Sequence, residues 1–123
     1  MEQFVKIFKA LGEPTRIKLL RLLSVRPMYV CELESVMGIS QPRISQHLKV
    51  LKEANILKEA KEAQKTFYML NGSKVDKALG DFMEFLRVDI RQLPDFVEES
   101  ARIDKLGCDC SVINCKTGGK TDC

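Results

Sequence analysis

Apolar residues recur along this chain at spacings of three and four, in short runs separated by Gly, Pro and polar clusters, and that period predicts a mainly α protein. Residues 2–11 carry Phe4, Val5, Phe8 and Leu11 and stop at Gly12. A second helix spans 14–25, with Pro14 in its first turn and Ile17, Leu20 and Leu23 along one side. A short third helix covers 30–37 through Val30, Leu33, Val36 and Met37, and Gly38 ends it. A fourth covers 41–54. Residues 56–70 then change period: two strand-like runs flank a charged turn, which predicts a β-hairpin although the turn lacks glycine. Ser73 is positioned to cap a long helix over 74–92, with Asp76 three residues on. Pro94 breaks it, a short helix fits 95–105, and residues 107–123 read as a flexible tail.

The segment around the fourth helix carries the most chemistry. Ser40 is an N-cap residue whose hydroxyl is expected to bond a free first-turn N–H, and Pro42 sits where a missing N–H does no harm. Ile44, Leu48 and Leu51 form one apolar stripe, while Gln41, Arg43, Ser45, Gln46, Lys49 and Lys52 occupy the other faces. Asn55 follows Ala54 and suits the left-handed conformation that stops a helix. An apolar back and a Gln/Arg/Ser/Lys front fit the DNA major groove, because Gln pairs with adenine edges, Arg with guanine, and Lys and Ser with phosphate. An ordinary amphipathic surface helix has the same pattern. The flanks favour the first reading: two helices joined by a Gly-containing turn, followed by a hairpin, make a winged helix-turn-helix.

Composition narrows the class. The chain has 123 residues, 45% of them hydrophobic, enough for one globular domain with a modest core. Its net charge of +3 says little, but the distribution says more. Residues 40–74 hold seven Lys/Arg against three Asp/Glu, whereas residues 75–106 hold five against eight. Positive charge is thus gathered on the helix and wing that would face phosphates. Val75, Leu79, Phe82, Phe85, Leu86, Ile90 and Leu93 cover more than one stripe of the last long helix. That surplus points to a homodimer through the first and last long helices, which pairs two recognition helices for palindromic DNA. No signal peptide and no long apolar run is present, so a cytoplasmic protein is expected, with no membrane partner. Asn71-Gly72-Ser73 matches a glycosylation sequon and reads in that setting as a turn.

These motifs together resemble the arsenic-repressor type (ArsR/SmtB) of winged-helix transcriptional repressors. Leu11-Gly12-Glu13-Pro14-Thr15-Arg16-Ile17-Lys18-Leu19-Leu20 is similar to the family's second-helix opening. Residues 40–54, Ser-Gln-Pro-Arg-Ile-Ser-Gln-His-Leu-Lys-Val-Leu-Lys-Glu-Ala, resemble its recognition helix, and Thr66-Phe67-Tyr68 the end of its wing. The likeness covers residues 4–93, which sets a DNA-binding and dimerisation domain at 1–93 and a cysteine-rich tail at 94–123. It implies a repressor that binds an inverted-repeat operator in double-stranded DNA and releases it on binding a metal or metalloid. It also implies DNA contacts from Gln41, Arg43, Ser45, Gln46 and His47, with Lys61 or Lys65 of the wing at phosphate or minor groove. Ser40 and Lys49 complete the candidate set. His47, the single histidine, reads equally well as a partly packed helix residue.

The five cysteines bear on what is sensed. Arsenic-sensing relatives often carry Cys-x-Cys-x-x-Cys on the helix before the recognition helix. Here those positions are Tyr29, Cys31 and Glu34, so that site does not carry over. The Asp/His zinc site of other relatives is also missing, since the last long helix has no His. Cys108, Cys110, Cys115 and Cys123 instead sit in the tail. Thiolates select soft ions, and Cys108, Cys110 and Cys115 suit trivalent arsenic or antimony, which takes three sulfurs. With Cys123, four thiols make a tetrahedral set for a soft divalent ion such as cadmium. The spacing fits structural zinc poorly, because such sites usually use Cys-x-x-Cys pairs. A redox or sulfur-responsive thiol switch is the alternative. Incidental cysteines are a third reading. Cys31 reads as a small buried residue or an extra ligand. No obligatory cofactor is expected. A thiol enzyme or metal-transfer protein fits poorly, because the chain lacks Cys-x-x-Cys and any Cys–His pairing.

Overall fold

The computed structural model describes residues 1–107. The chain divides into two compact units, Met1–Phe85 and a second that begins at Leu86. Unit one is built from α1 (Glu2–Leu11), α2 (Pro14–Leu23), β1 (Met28–Tyr29), α3 (Val30–Met37), α4 (Gln41–Glu53), β2 (Leu57–Glu62), β3 (Lys65–Leu70) and most of α5 (Gly72–Arg87). Four helices and the hairpin therefore stand where periodicity puts them. The expected winged helix-turn-helix is present, mostly helical with a small antiparallel sheet.

The core is one cluster, and α4 is central to it. Ile44, Leu48 and Leu51 are completely buried, as are Leu19 of α2, Leu33 of α3 and Ile56 just before β2. Each buried aliphatic side chain contributes about 1.5–3 kcal/mol relative to exposure. The stripe predicted for the fourth helix is therefore what seats that helix. Its C-terminus is closed by two bonds: Asn55 N–H to Lys52 O at 2.9 Å, and Ile56 N–H to Leu51 O at 3.0 Å. This pairing needs a left-handed residue after the cap, and Asn55 supplies it with φ +62°. Gly38 ends α3 in the same conformation, with φ +68° and its N–H on Glu34 O.

Several boundaries differ from the sequence expectation. The sheet has three strands in the order β1-β3-β2, because Met28 and Tyr29 pair with Tyr68 and Phe67. A two-residue strand is too short to give a period. Ser40 does occupy the N-cap of α4, but its side chain makes no capping bond. Only its carbonyl engages the helix, accepting from Ile44 N–H at 3.1 Å. Ser73 does not cap α5 either. The helix starts earlier, where Asn71 O accepts from Lys74 and Val75, and the Ser73 hydroxyl lies 3.3 Å from Asn71 Oδ1.

α5 ends at Arg87, five residues short of the expected boundary at 92. In the second unit, Asp89 caps a 3₁₀ turn at Ile90–Gln92, accepting from Arg91 N–H at 3.0 Å. A second 3₁₀ turn, Pro94–Phe96, leads into α6 (Val97–Leu106). Asp89 thus offers the backbone a competing local bond, and the helical period of Ile90 and Leu93 is satisfied in another geometry.

The wing turn stores some strain. Glu62 pairs with Lys65, so Ala63-Gln64 form a two-residue loop, and Ala63 has φ +57°. A left-handed conformation costs an L-residue roughly 1–2 kcal/mol, which glycine avoids. Ala63→Gly should stabilise the protein by up to about 1 kcal/mol after the added entropy of the unfolded chain is subtracted. Thermal unfolding should show a higher midpoint, and a lower one would mean that the turn is unstrained.

Candidate nucleic-acid interface

Burying one face of α4 leaves the opposite face to solvent. Gln41, Arg43, Ser45, Gln46 and Lys49 are all exposed on it. Lys61 and Lys65 are exposed on the wing, one on β2 and one at the start of β3. Helix and wing converge on a single open cleft of about 390 Å³, lined by Gln41 and Ser45 of α4, Lys65, Thr66 and Tyr68 of β3, and Tyr29, Val30 and Cys31. Sequence reasoning named three of these eight, Gln41, Ser45 and Lys65, as DNA contacts, and Cys31 as an extra ligand. Tyr29 was missed as a participant, because its role depends on β1 joining the sheet.

Tyr29 holds the wing. Its ring meets Phe67 edge-on at 5.9 Å, its hydroxyl donates to Glu62 at 3.2 Å, and Lys65 Nζ lies 5.5 Å above the ring. Partial desolvation and then the Glu62 carboxylate push the Tyr29 hydroxyl above its ordinary range. Its backbone N–H donates to Glu32 Oε1 at 3.0 Å, and Glu32 in turn pairs with Arg26 at 2.6 Å. Arg26 and then the Tyr29 N–H hold the Glu32 carboxyl below the usual carboxylate range. Lys65 is thereby placed beside α4 by a ring and two neighbouring strands.

One residue stands differently from the buried reading given to it, and another is partly packed, one of the two readings left open for it. Cys31 is exposed at the cleft and not buried, because Leu33 is the α3 residue that fills the core. His47 is only 18% exposed, and its Nδ1 accepts from Arg16 Nε at 3.2 Å. That edge of the ring faces α2 and not the outer face of α4. Lys52 is tied to Glu59 of β2 by an ion pair that links the end of α4 to the wing.

The chemistry at α3 does not suit a three-sulfur site. Tyr29 presents a phenol committed to Glu62, Cys31 one thiol, and Glu34 an exposed carboxylate. Among the described residues, no group of three His, Cys, Asp or Glu is placed to hold a metal ion. Cys108, Cys110, Cys115 and Cys123 lie outside the described residues. No helix among the described residues is long and apolar enough to cross a membrane.

A solvent-facing polar helix seated in a helix-turn-helix and flanked by a basic wing defines a DNA-binding regulator, not an enzyme. Comparison with known proteins gives the particular family. Residues 13–59 match the family model described as "Bacterial regulatory protein, arsR family". An HTH-type transcriptional regulator of Methanocaldococcus jannaschii, MJ1325, is 39% identical over 79 residues, covering 63% of this chain and 89% of that protein. The arsenic resistance transcriptional regulator ArsR1 of Pseudomonas putida is 38% identical over 66 residues, covering 53% of this chain and 52% of that protein. The structure of HlyU from Vibrio cholerae matches with a TM-score of 0.57 at 32% identity, over 70% of this chain and 92% of that one. The chain belongs to the arsR family of transcriptional regulators.

The Lys52–Glu59 pair gives a pH-dependent prediction. Hydrogen bonding from Lys52 lowers the Glu59 carboxyl below its ordinary range. A carboxyl lowered on folding adds stability above its unfolded pKa, and that stability is lost as pH falls through the folded value. Wild type should therefore melt slightly above Glu59→Gln at neutral pH, and the two should converge in acid below the ordinary carboxylate range. A gap that persists in acid would show that the pair is not its source.

Proposed function

We propose that this protein is a dimeric repressor that reads an inverted-repeat operator with α4 and the wing. We further propose that it releases the operator when a soft metalloid or metal binds its tail thiolates. The observation that carries the DNA reading is the exposed Gln41/Arg43/Ser45/Gln46/Lys49 face beside Lys61 and Lys65. Ser40 is the exposed N-cap of that helix. Residues 1–93 would read DNA and dimerise, and residues 94–123 would sense.

Dimerisation is supported by the surface of α1 and α5. Phe4, Phe8 and Phe82 form an aromatic cluster with centroids 4.8–5.8 Å apart. Around it Val5, Leu79 and Met83 remain 47%, 41% and 45% exposed. Helices with an apolar band on each side of their contact are suited to a four-helix interface with a second copy.

The inducer reading rests on thiolate chemistry and on relatives whose names mention arsenic. Cys108, Cys110 and Cys115 supply three sulfurs for trivalent arsenic or antimony, and Cys123 or Cys31 would complete a set for a soft divalent ion. In a cytosolic setting such thiols stay reduced. Release follows only if the ligand favours the arrangement that binds DNA less well, since an equal preference shifts nothing.

Duplexes selected by the wild-type protein from a random pool are the test of the DNA reading. Arg43→Ala and Gln46→Ala should each cost about 1–3 kcal/mol on a selected duplex. Lys65→Ala should weaken binding on all duplexes and reduce the slope of log K against log salt by about 0.9. Retention of full affinity by both helix variants would remove the α4 reading.

Arsenite added to the protein–duplex complex under reducing conditions should release the DNA, and the Cys108→Ser/Cys110→Ser variant should not respond. Equal behaviour of the two would discard the tail as the sensor. Release by peroxide alone, with arsenite inert, would favour the thiol-switch alternative.

A further inference from the structure

Arg16 lies outside the reading face and the wing, yet its guanidinium joins three helices. Nη1 donates to the carbonyls of Lys9 at 3.1 Å and Ala10 at 3.3 Å, both in the last turn of α1. Nε donates to His47 Nδ1 on α4 at 3.2 Å. The Arg16 backbone N–H donates to Glu13 Oε2 at 3.2 Å, the N-cap of its own helix. That same carboxylate oxygen stands 3.7 Å from His47 Nδ1.

Each bond meets a need. At the end of α1, Lys9 O also accepts from the Gly12 N–H at 3.3 Å, and the guanidinium adds a second donor there and one to Ala10 O. A cation at that point lies at the negative end of the helix dipole. A guanidinium has no lone pair to accept with, so His47 Nδ1 must be the acceptor and the ring proton sits on Nε2. A bond with an ionised donor is about twice as strong as a neutral one and more directional. His47 is flanked along α4 by Gln46, and Arg43 lies one turn earlier.

We infer that Arg16 is a positioning residue for DNA reading. It fixes the rotation of α4 against α1, so the aim of Arg43 and Gln46 depends on a guanidinium that touches no DNA. The inference rests on the DNA reading above and adds a link to it. Because α1 carries Phe4 and Phe8, the same cation connects the proposed subunit contact to the reading helix. His47 acts here as the acceptor through which α4 is held, not as a base reader.

The test uses the full chain and a duplex selected by wild type, with Arg16→Gln, Arg16→Lys, His47→Leu and His47→Asn. Asparagine places Oδ1 near the position of Nδ1 and keeps the acceptor. Arg16→Gln and His47→Leu should weaken binding roughly 5- to 30-fold, the span of one or two lost interactions. The salt slope should stay at the wild-type value, because no phosphate contact is removed. His47→Asn should recover most of the affinity, and Arg16→Lys part of it. In the DNA-free protein, nitrogen NMR should show a hydrogen-bonded His47 Nδ1 in wild type and a shift of that nitrogen towards a free acceptor in Arg16→Ala.

Wild-type affinity in Arg16→Gln would overturn the inference. A slope reduced by about 0.9 in that variant would make Arg16 a phosphate contact instead. An equal loss in His47→Asn and His47→Leu would make His47 a direct DNA contact. Should Arg16→Gln fail to fold, the two His47 variants decide the matter. A wild type that retains no duplex from the pool removes the DNA reading and this inference with it. A wild type that binds while all variants match it removes only the inference.

Discussion

One helix is held by its apolar face so that its polar face is free, and everything else in the first unit serves that division. Ile44, Leu48 and Leu51 are completely buried, at positions four and seven residues apart. Burial on that spacing sets which face of α4 turns inward and how deep the helix sits, and the Arg16 bonds set its finer rotation against α1. Rotating the helix by one residue would expose about 100° of a different face and drive Ser45 or Lys49 toward the core, where an unpaired polar group costs roughly 1–3 kcal/mol. The orientation of the reading face is thus set by the desolvation cost of its own polar residues as much as by the attraction of its apolar ones.

Seating a face does not set where a helix ends or how its neighbours sit, and separate bonds do that. Asn55 turns the chain sharply after α4, so that Ile56 and Leu57 re-enter the core and β2 starts at once. Asn71 Nδ2 donates to Asn55 O at 3.0 Å, and Ile56 O accepts from Asn71 N–H at 2.8 Å. The two ends of the wing are therefore clamped to the end of the recognition helix. Lys52 with Glu59 adds a tie on the solvent side. Wing lysines and helix side chains keep a common frame because the hairpin leaves and returns at one point.

What was legible in the sequence follows from range. The α4 stripe, the Gly38 stop and the Asn55 stop are local, and each is written in the residues that perform it. The polar face of α4 was legible for the same reason. Tyr29 was not, since its role depends on pairing with Phe67, which lies far along the chain. Ser40 and Ser73 have the composition of caps, yet backbone carbonyls, Ser40's own at α4 and Asn71's at α5, took the helix-starting role. The end of α5 was misplaced because Ile90 and Leu93 keep a helical period into a segment where Asp89 imposes a tighter turn. His47 was ambiguous in sequence, and only the approach of Arg16 from α2 shows which way one edge of its ring faces.

Position 29 also bears on where sensing is placed. Arsenic-sensing relatives of the kind the chain resembles often carry thiols at this position and at those of Cys31 and Glu34 on α3. Here the side chain is a phenol bonded to Glu62, set edge-on to Phe67 and covered by Lys65. A thiol has neither the ring to hold Phe67 and Lys65 nor the reach to bond Glu62. One residue cannot both ligate a metalloid and anchor this wing, because ligation would withdraw it from the bonds that place Lys65. Tyr29 is therefore committed to the wing. A metalloid-responsive protein with this α3 needs its sulfurs on a segment that the reading apparatus does not use. Cys108, Cys110, Cys115 and Cys123 come after α3, α4 and the wing in the sequence, which is the reason for proposing the switch there.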